Sequence, residues 1–302
     1  MPYSSPVVSR LAPTPSGYLH LGNAVNFVLT WLIVRRSYGV LHLRIDDLDR
    51  ARLRPAYLEN IFRTIEWLGI DYDHGPSGPA DFERHFSQLH RLSEYQQFLD
   101  ELGRQPELLY ACTCSRTQIL AASPTGLYAG DCRAKALGLD TPQAAWRAHV
   151  APGTLVSFND LWLGPLALEL ARELGDFVVR KKDGVPAYQI GSIVDDVRLG
   201  VTLIVRGVDL LPSTAAQRWL AGFSAATTPF LHTRLVHHPL LPGPDGGKLS
   251  KSQQQPLERG IMAEAASPRP VFEAVARLLN LPVEAGRSLR ALRGAFENAA
   301  IG

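Results

Sequence analysis

Residues 10–49 read RLAPTPSGYLHLGNAVNFVLTWLIVRRSYGVLHLRIDDLD, and the order of signals in this stretch sets the architecture. Val7 to Ala12 is a short apolar segment of strand type, and Pro13, Pro15 and Gly17 break it before a second strand could pair. From Leu19 onward Leu21, Val25, Val28, Leu29, Leu32 and Ile33 recur at helical spacing, with Gly39 as the expected helix end. Val40 to Ile45 is the next strand, so the unit is strand, turn, helix, strand. A helix that starts directly after a strand turns unpaired N–H groups and a positive dipole end toward the turn, which suits a polyphosphate. His20, Gly22 and Asn23 occupy that end. Gly22 lets a nucleotide approach, His20 can donate to a phosphate oxygen, and Asn23 can donate or accept. An ordinary polar helix cap is the alternative reading of the same residues.

The rest of the chain bounds what this unit can belong to. At 302 residues, 46% of them apolar, the chain is globular, with room for one large domain or two modest ones. No signal-type N-terminus and no apolar run long enough to span a bilayer is present, so a cytoplasmic protein with no membrane partner is expected. A formal charge of +2 permits a nucleic-acid partner without requiring one. Three cysteines, an odd number, argue against a disulfide framework and leave metal binding or simple burial open.

A second signal lies far downstream, where residues 243–252 read GPDGGKLSKS, a glycine-rich loop with two lysines, Lys248 and Lys251, three apart. Alone it could be a solvated basic loop. Taken together, His20-Leu21-Gly22-Asn23 and Lys248-Leu249-Ser250-Lys251-Ser252 resemble the two signatures of the class I aminoacyl-tRNA synthetases, in the right order behind a β-α-β start. Residues 183–188 (DGVPAY), 194–196 (VDD) and 206–209 (RGVD) are similar to the glutamyl branch of that family, which extends the resemblance over most of residues 7–252. It implies an α/β fold: a Rossmann-like doubly wound parallel sheet interrupted by a small α+β zinc-bearing insertion. The expected layout is a first half-sheet at 1–109, an acceptor-contacting insertion at 110–175, the second half-sheet with the KLSKS loop at 176–255, and a short helical segment at 256–302.

Between the motifs, Arg52 to Gly69 and Glu83 to Leu102 read as amphipathic helices, Thr141 to Val150 as a further helix, and Val156 to Asp160 and Asp176 to Arg180 as strands. The sheet is expected to resume with Pro186 to Ile190, Ile193 to Asp196 and Val201 to Arg206. After Ser252, Val271 to Leu279 and Leu289 to Phe296 are short helices, with no room for an anticodon-binding domain. Cys112, Cys114 and Cys132 could meet around zinc, although C-x-C is not its commonest spacing and buried structural cysteines are equally compatible. The glutamyl branch can carry a C-x-C…Y-x-x-x-C zinc site, and the resemblance therefore implies Cys112, Cys114, Tyr128 and Cys132 as a closed, structural ligand set.

The resemblance also implies the chemistry. L-Glutamate carries two carboxylates and an ammonium, which call for guanidinium partners, a carboxylate and a hydrogen-bonding floor. By similarity Arg10 and Arg206 take the carboxylates, Asp46 the ammonium, and Tyr188 with the backbone of Leu11, Ala12, Pro13 and Thr14 the remaining contacts. A buried aromatic at 188, a strand-end ion pair at 206 and an exposed acidic turn at 46–49 are what these residues would be without the family. ATP with Mg would be held by His20, Gly22, Asn23 and Lys251, and His20, Asn23, Lys248 and Lys251 would be catalytic through charge stabilisation, with no covalent enzyme nucleophile. One departure stands out: the family usually has glutamate where Asp46 stands. Asp is shorter by about 1.3 Å of reach, so the amino acid shifts, a water intervenes, or the substrate differs. The short C-terminal segment resembles the truncated, zinc-bearing members of the branch, which attach glutamate to the queuosine base of tRNA(Asp). A ligase that passes an activated amino acid to a small molecule or carrier protein, and a silent RNA-binding relative, are the two alternatives.

Overall fold

The computed structural model describes residues 6–123, 126–128, 130–241 and 260–299. The strands among them are, in chain order, β1 Val8–Leu11, β2 Val40–Leu43, β3 Leu109–Cys112, β4 Ala145–Ala148, β5 Leu155–Asp160, β6 Gly164–Glu169, β7 Phe177–Arg180, β8 Leu203–Gly207 and β9 Arg234–His238. They fall into two compact units, Met1–Ser87 with Val201–Val208 and Leu235–Gly302, and Gln88–Gly200 with Asp209–Arg234. No helix among the described residues is long and apolar enough to cross a membrane.

In the first unit the β-α-β start is present as expected. β1 and β2 are parallel, with Val8 opposite Val40 and Leu11 opposite Leu43, joined by the helix Leu21–Arg36. β8 flanks β1 on its other side: Thr202 N–H donates to Val8 O (2.9 Å) and Ser9 Oγ to Leu203 O (2.8 Å). β9 pairs with β8. The helix Leu21–Arg36 is buried on nearly every face, with Ala24, Phe27, Leu29 and Val34 all inaccessible. A helix apolar all round must be covered all round; here the sheet lies on one side and the helices Arg269–Leu278 and Leu289–Asn298 on the other. Arg36 fastens the last of these, donating to Phe296 O (2.7 Å) and Ala299 O (3.0 Å).

Gly39 does not end the helix. Ser37 caps it and Tyr38 takes the left-handed conformation (φ 50°). Gly39 is needed instead because a Cβ there would collide with the Val7 carbonyl, at the point where β2 joins β1. Arg52 to Gly69 forms a helix only from Pro55 to Leu68, with proline in its first turn and Gly69 in the left-handed C-terminal position (φ 69°).

Beside β2, His42 and His74 stack with ring centroids 5.1 Å apart. Burial, then the neighbouring His74 ring, pushes the His42 pKa below its ordinary value of 6.5. A base held low in the folded state binds fewer protons than in the unfolded chain, so its contribution is complete above pH 6.5 and is lost as pH falls through the lowered value. Chemical denaturation at pH 7.5 and pH 5.0 is expected to show lower stability at pH 5.0, and His42→Gln to reduce that difference.

In the second unit β4 is the middle strand of an antiparallel sheet ordered β3-β4-β7. The expected helix over Thr141 to Val150 is therefore absent. Pro142 and the left-handed Gln143 (φ 56°) stop a helix from starting, and pairing on both sides outweighs the local preference of Ala144, Ala145 and Ala148. β5 and β6 form a hairpin whose turn is closed by Asp160 Oδ1 accepting from the Trp162 and Leu163 N–H groups.

Two further expectations are corrected. Glu83 to Leu102 is not one helix: a π-turn over Phe82–Phe86 gives way to extended Ser87, a 3-10 turn over Gln88–Arg91, and a helix only from Leu92 to Gly103. The segments at Pro186 to Ile190 and Ile193 to Asp196 are not strands but one helix, Tyr188–Arg198. Short apolar runs read equally as either, and here burial of Ser192, Asp195 and Asp196 falls at the i, i+3, i+4 spacing of a helix. Asp195 is the reason for the packing. It is buried and accepts from Gln88 Nε2 (2.9 Å), Arg91 Nε and Nη2 (3.0 and 3.1 Å) and Tyr95 OH (2.9 Å).

Candidate functional site

The helix mouth in the first unit is built by its own side chains. His20 is the N-cap in extended conformation; its Nδ1 accepts from Gly22 N–H (3.2 Å), and Asn23 Oδ1 accepts in return from His20 N–H (3.0 Å). This reciprocal box satisfies two of the otherwise unpaired groups at the helix start. It also orients the imidazole: with Nδ1 accepting, the neutral ring carries its proton on Nε2, where that N–H can donate. Cap and phosphate donor are thus compatible uses of one side chain. The residue before it is fixed too, because Leu19 N–H donates to Asn60 Oδ1 (2.9 Å).

β1 and β2 continue their ladder past the strands proper. Arg44 N–H donates to Leu11 O and Asp46 N–H to Pro13 O, each at 2.9 Å. Asp46 therefore stands beside the Arg10–Thr14 turn, at the carboxyl edge where open α/β sheets bind ligands. Its carboxylate is gripped by Arg44, Nε to Oδ1 at 2.6 Å and Nη2 to Oδ2 at 3.1 Å, with both side chains buried. The sequence reading placed Arg44 next to the acidic turn without giving it a role. The signal was its position two residues before Asp46 on an extended segment, where side chains share a face. Asp47 is buried separately and accepts from Ser87 Oγ (2.6 Å) and Arg50 (2.9 Å).

Arg10 on β1 and Arg206 on β8 are buried, and β1 and β8 are neighbours. Arg10, Thr14, His20, Gly22, Asn23, Asp46 and Arg206 all belong to this unit. Tyr188 belongs to the other, where it opens the helix Tyr188–Arg198 and is 39% exposed rather than a buried aromatic. Lys248 and Lys251 lie outside the described residues. The described residues on either side of them belong to this unit. On one side His238, at the end of β9, places Nε2 3.2 Å from Asn26 Oδ1; on the other, Ile261 N–H donates to Leu19 O at 2.9 Å. His238 thus meets the helix in its second turn, and Ile261 meets the residue just before its cap.

The second unit holds a thiol cluster. Cys112 ends β3, Cys114 follows two residues on, and Cys132 opens a 3-10 turn; their Sγ atoms all lie within 4.8 Å of one another. Tyr128 OH is 3.4 Å from Cys114 Sγ, as is Cys132 Sγ. Tetrahedral ligands on bonds near 2.3 Å stand roughly 3.8 Å apart, so the group is close to that spacing and could hold a metal ion. Burial raises the Tyr128 pKa, and hydrogen bonding to Cys112, Cys114 and Cys132 raises it further. Burial opposes ionisation of Cys132 as well, but hydrogen bonds from the Tyr128 side chain and the Thr113 backbone bring its thiol down to about 6. The thiolate is ready for a metal, whereas the phenol must give up its proton to one.

Around this cluster Arg147 on β4 lays its guanidinium 4.1 Å from the Tyr128 ring centroid and donates to Asp176 O (2.8 Å). The Asp176 carboxylate accepts from Tyr110 OH (2.7 Å) and Val150 N–H (2.9 Å) and pairs with Arg133 (3.1 Å). Cys112, Tyr128 and Cys132 are buried and Cys114 half-buried, so the cluster is a closed one.

The sequence model for tRNA synthetases class I (E and Q), catalytic domain, matches residues 6–300. The chain belongs to this family. Relatives named glutamyl-Q tRNA(Asp) synthetase resemble this synthetase at 39% identity: that of Symbiobacterium thermophilum over 290 residues, 90% of this chain and 86% of its own, and that of Pseudomonas putida KT2440 over 264 residues, 87% and 81%. Among solved structures, the glutamate-tRNA synthetase of Elizabethkingia anophelis superposes with a TM-score of 0.72 at 22% identity, over 98% of this synthetase and 67% of that chain. That likeness establishes the class I synthetase α/β fold.

Proposed function

We propose that the chain is an ATP-dependent ligase that activates L-glutamate as glutamyl-adenylate and transfers it to the queuosine base of tRNA(Asp). A glutamate carboxylate oxygen attacks the ATP α-phosphorus and pyrophosphate leaves. A hydroxyl of the queuosine cyclopentenediol then attacks the acyl carbon, AMP leaves, and the hydroxyl proton passes to solvent. What supports the first step is that described residues on either side of the KLSKS segment, His238 and Ile261, reach Asn26 in the helix and Leu19 before its cap, where His20 Nδ1 accepts from Gly22 N–H and leaves Nε2 to donate. The acceptor follows the relatives' name and the match over most of both chains.

In this reading His20, Asn23, Lys248 and Lys251 stabilise charge on the departing phosphates; His20, Gly22, Asn23 and Lys251 hold ATP with its Mg. Arg10 and Arg206 bind the two carboxylates, and Asp46, Tyr188 and the backbone from Leu11 to Thr14 bind the rest of the amino acid. Because Asp46 is already neutralised by Arg44, the shorter side chain meets the ammonium as part of an ion pair, which fits a water-bridged contact. Amino-acid-dependent pyrophosphate exchange, followed by a search for base-labile glutamate on the anticodon of queuosine-containing tRNA(Asp), tests both steps. Exchange with glutamate but no label on that tRNA would refute the acceptor, and no exchange with any amino acid would refute the ligase.

The metal of the thiol cluster is proposed to be one structural zinc on Cys112, Cys114, Tyr128 and Cys132, which leaves no open position for an activated water. One equivalent of zinc is expected by elemental analysis, with proton release on binding. Cys132→Ala is expected to abolish it and Tyr128→Phe to weaken it about 10- to 100-fold. Full retention of zinc by Cys132→Ala would sink the assignment.

A further inference from the structure

On the other side of β4 from the thiol cluster lies an open hollow of about 410 Å³ that the catalytic reading does not use. Successive strand residues face opposite ways. Arg147 goes to Tyr128, and Trp146 turns to the hollow. Trp146 Nε1 donates to Leu139 O (2.7 Å), which fixes the indole, and the Arg180 guanidinium lies 4.8 Å from its ring centroid. Gly184 makes room for that guanidinium: it has φ +86°, and a Cβ there would stand 3.2 Å from Arg180 Nη2. Lys182 also lines the hollow and donates to Thr113 O (2.7 Å), the residue between two of the cysteines. Neither Arg180 nor Lys182 forms an ion pair among the described residues, whereas adjacent Lys181 pairs with Asp183.

A guanidinium stacked on an indole presents a flat, charged outer face. Unstacked bases lie on such planes, and backbone groups of a turn read their edges. The Leu139–Ala144 turn forms the rim, with Leu139 O, Thr141 N–H, Thr141 O and Ala144 N–H already engaged in bonds of the fold. An ammonium has three donors, of which the Thr113 carbonyl takes one, so Lys182 can also meet a phosphate. We propose that this hollow is a nucleotide-binding subsite for single-stranded RNA, in which a splayed-out base stacks on Arg180 and its phosphate meets Lys182. The proposal rests on the RNA-acceptor reading above and adds a contact that reading does not contain.

The test is direct binding of the full, zinc-loaded chain to an RNA hairpin carrying the anticodon arm of tRNA(Asp) with queuosine, across roughly 50 to 200 mM salt. Arg180→Gln and Arg180→Lys are both expected to weaken binding about tenfold, because lysine restores the charge but not the plane. Lys182→Gln is expected to reduce the salt slope by about one. Arg172→Gln, on an exposed surface, serves as the control, and circular dichroism with zinc content verifies folding. Wild-type affinity in Arg180→Lys, or all variants within twofold of the control, would overturn the subsite. Glutamate transfer to the same RNA separates the two readings. Transfer with an unchanged RNA KM in Arg180→Gln sinks the subsite and leaves the function, whereas the expected binding pattern without transfer keeps the subsite and sinks the function.

Discussion

His20→Asn is expected to fold like the parent protein and to lose about 10²- to 10³-fold in glutamate-dependent pyrophosphate exchange. Asparagine is among the best N-cap residues, so the bond from Gly22 N–H and the reciprocal one from the residue-20 N–H to Asn23 Oδ1 can be kept. Its side chain is too short to carry a donor where Nε2 stands. The substitution therefore separates the two jobs of the imidazole: the melting temperature reads the cap, and the exchange rate reads the phosphate donor. The loss is expected in kcat with little change in the KM for ATP, because a donor aimed at developing charge matters most in the transition state. His20→Ala removes both jobs and is expected to add about 1 kcal/mol of destabilisation. Parent-like exchange by His20→Asn would leave the imidazole with no role beyond capping.

Asp195→Leu is expected to destabilise the protein by about 3–5 kcal/mol, read as a lower denaturant midpoint. The carboxylate gathers Gln88, Arg91 and Tyr95 from the segment around the helix Leu92–Gly103 onto the helix Tyr188–Arg198. Burial works against the charge on Arg91, but the bonds to Asp195 outweigh it and hold the guanidinium ionised more firmly than in water. Tyr95 is pushed well above its ordinary pKa, first by burial and then by the carboxylate. Removing Asp195 takes the carboxylate from a buried cation and the acceptor from Gln88 Nε2 and Tyr95 OH, and leucine supplies none of the lost acceptors. Because Tyr188 opens the same helix, the variant is also expected to raise the KM for glutamate. Asp195→Asn keeps an acceptor and should fall between the two. A loss of under 1 kcal/mol in Asp195→Leu would show that the cluster is solvated and not the anchor described.

The β-α-β start was legible because its signals are local: proline and glycine after a strand, a helical repeat, then a second strand. The meeting of Cys112, Cys114 and Cys132 beside Tyr128 was legible because the C-x-C…Y-x-x-x-C pattern was matched against a family and not against spacing alone. What was missed depends on partners distant in sequence. β4 is a strand because β3 and β7 pair with it, against an alanine-rich sequence that favours a helix. The helix Tyr188–Arg198 was read as strands because its short apolar runs fit either period, and the burial of Asp195 and Asp196 that marks the helix depends on distant partners. Glu83 to Leu102 is broken where Ser87 and Gln88 are captured by Asp47 and Asp195, which no local pattern reveals. Arg44 was passed over because its partner is the residue that was singled out as a substrate ligand.

The two-pronged grip of Arg44 on Asp46 has a bearing on how this branch of the family can vary. A glutamate at 46 would carry its oxygens one methylene farther, past the guanidinium that now holds both of them, so neither position can change without altering the work of the other. Substitutions at 44 and 46 should therefore combine non-additively, because each side chain's charge is answered by the other.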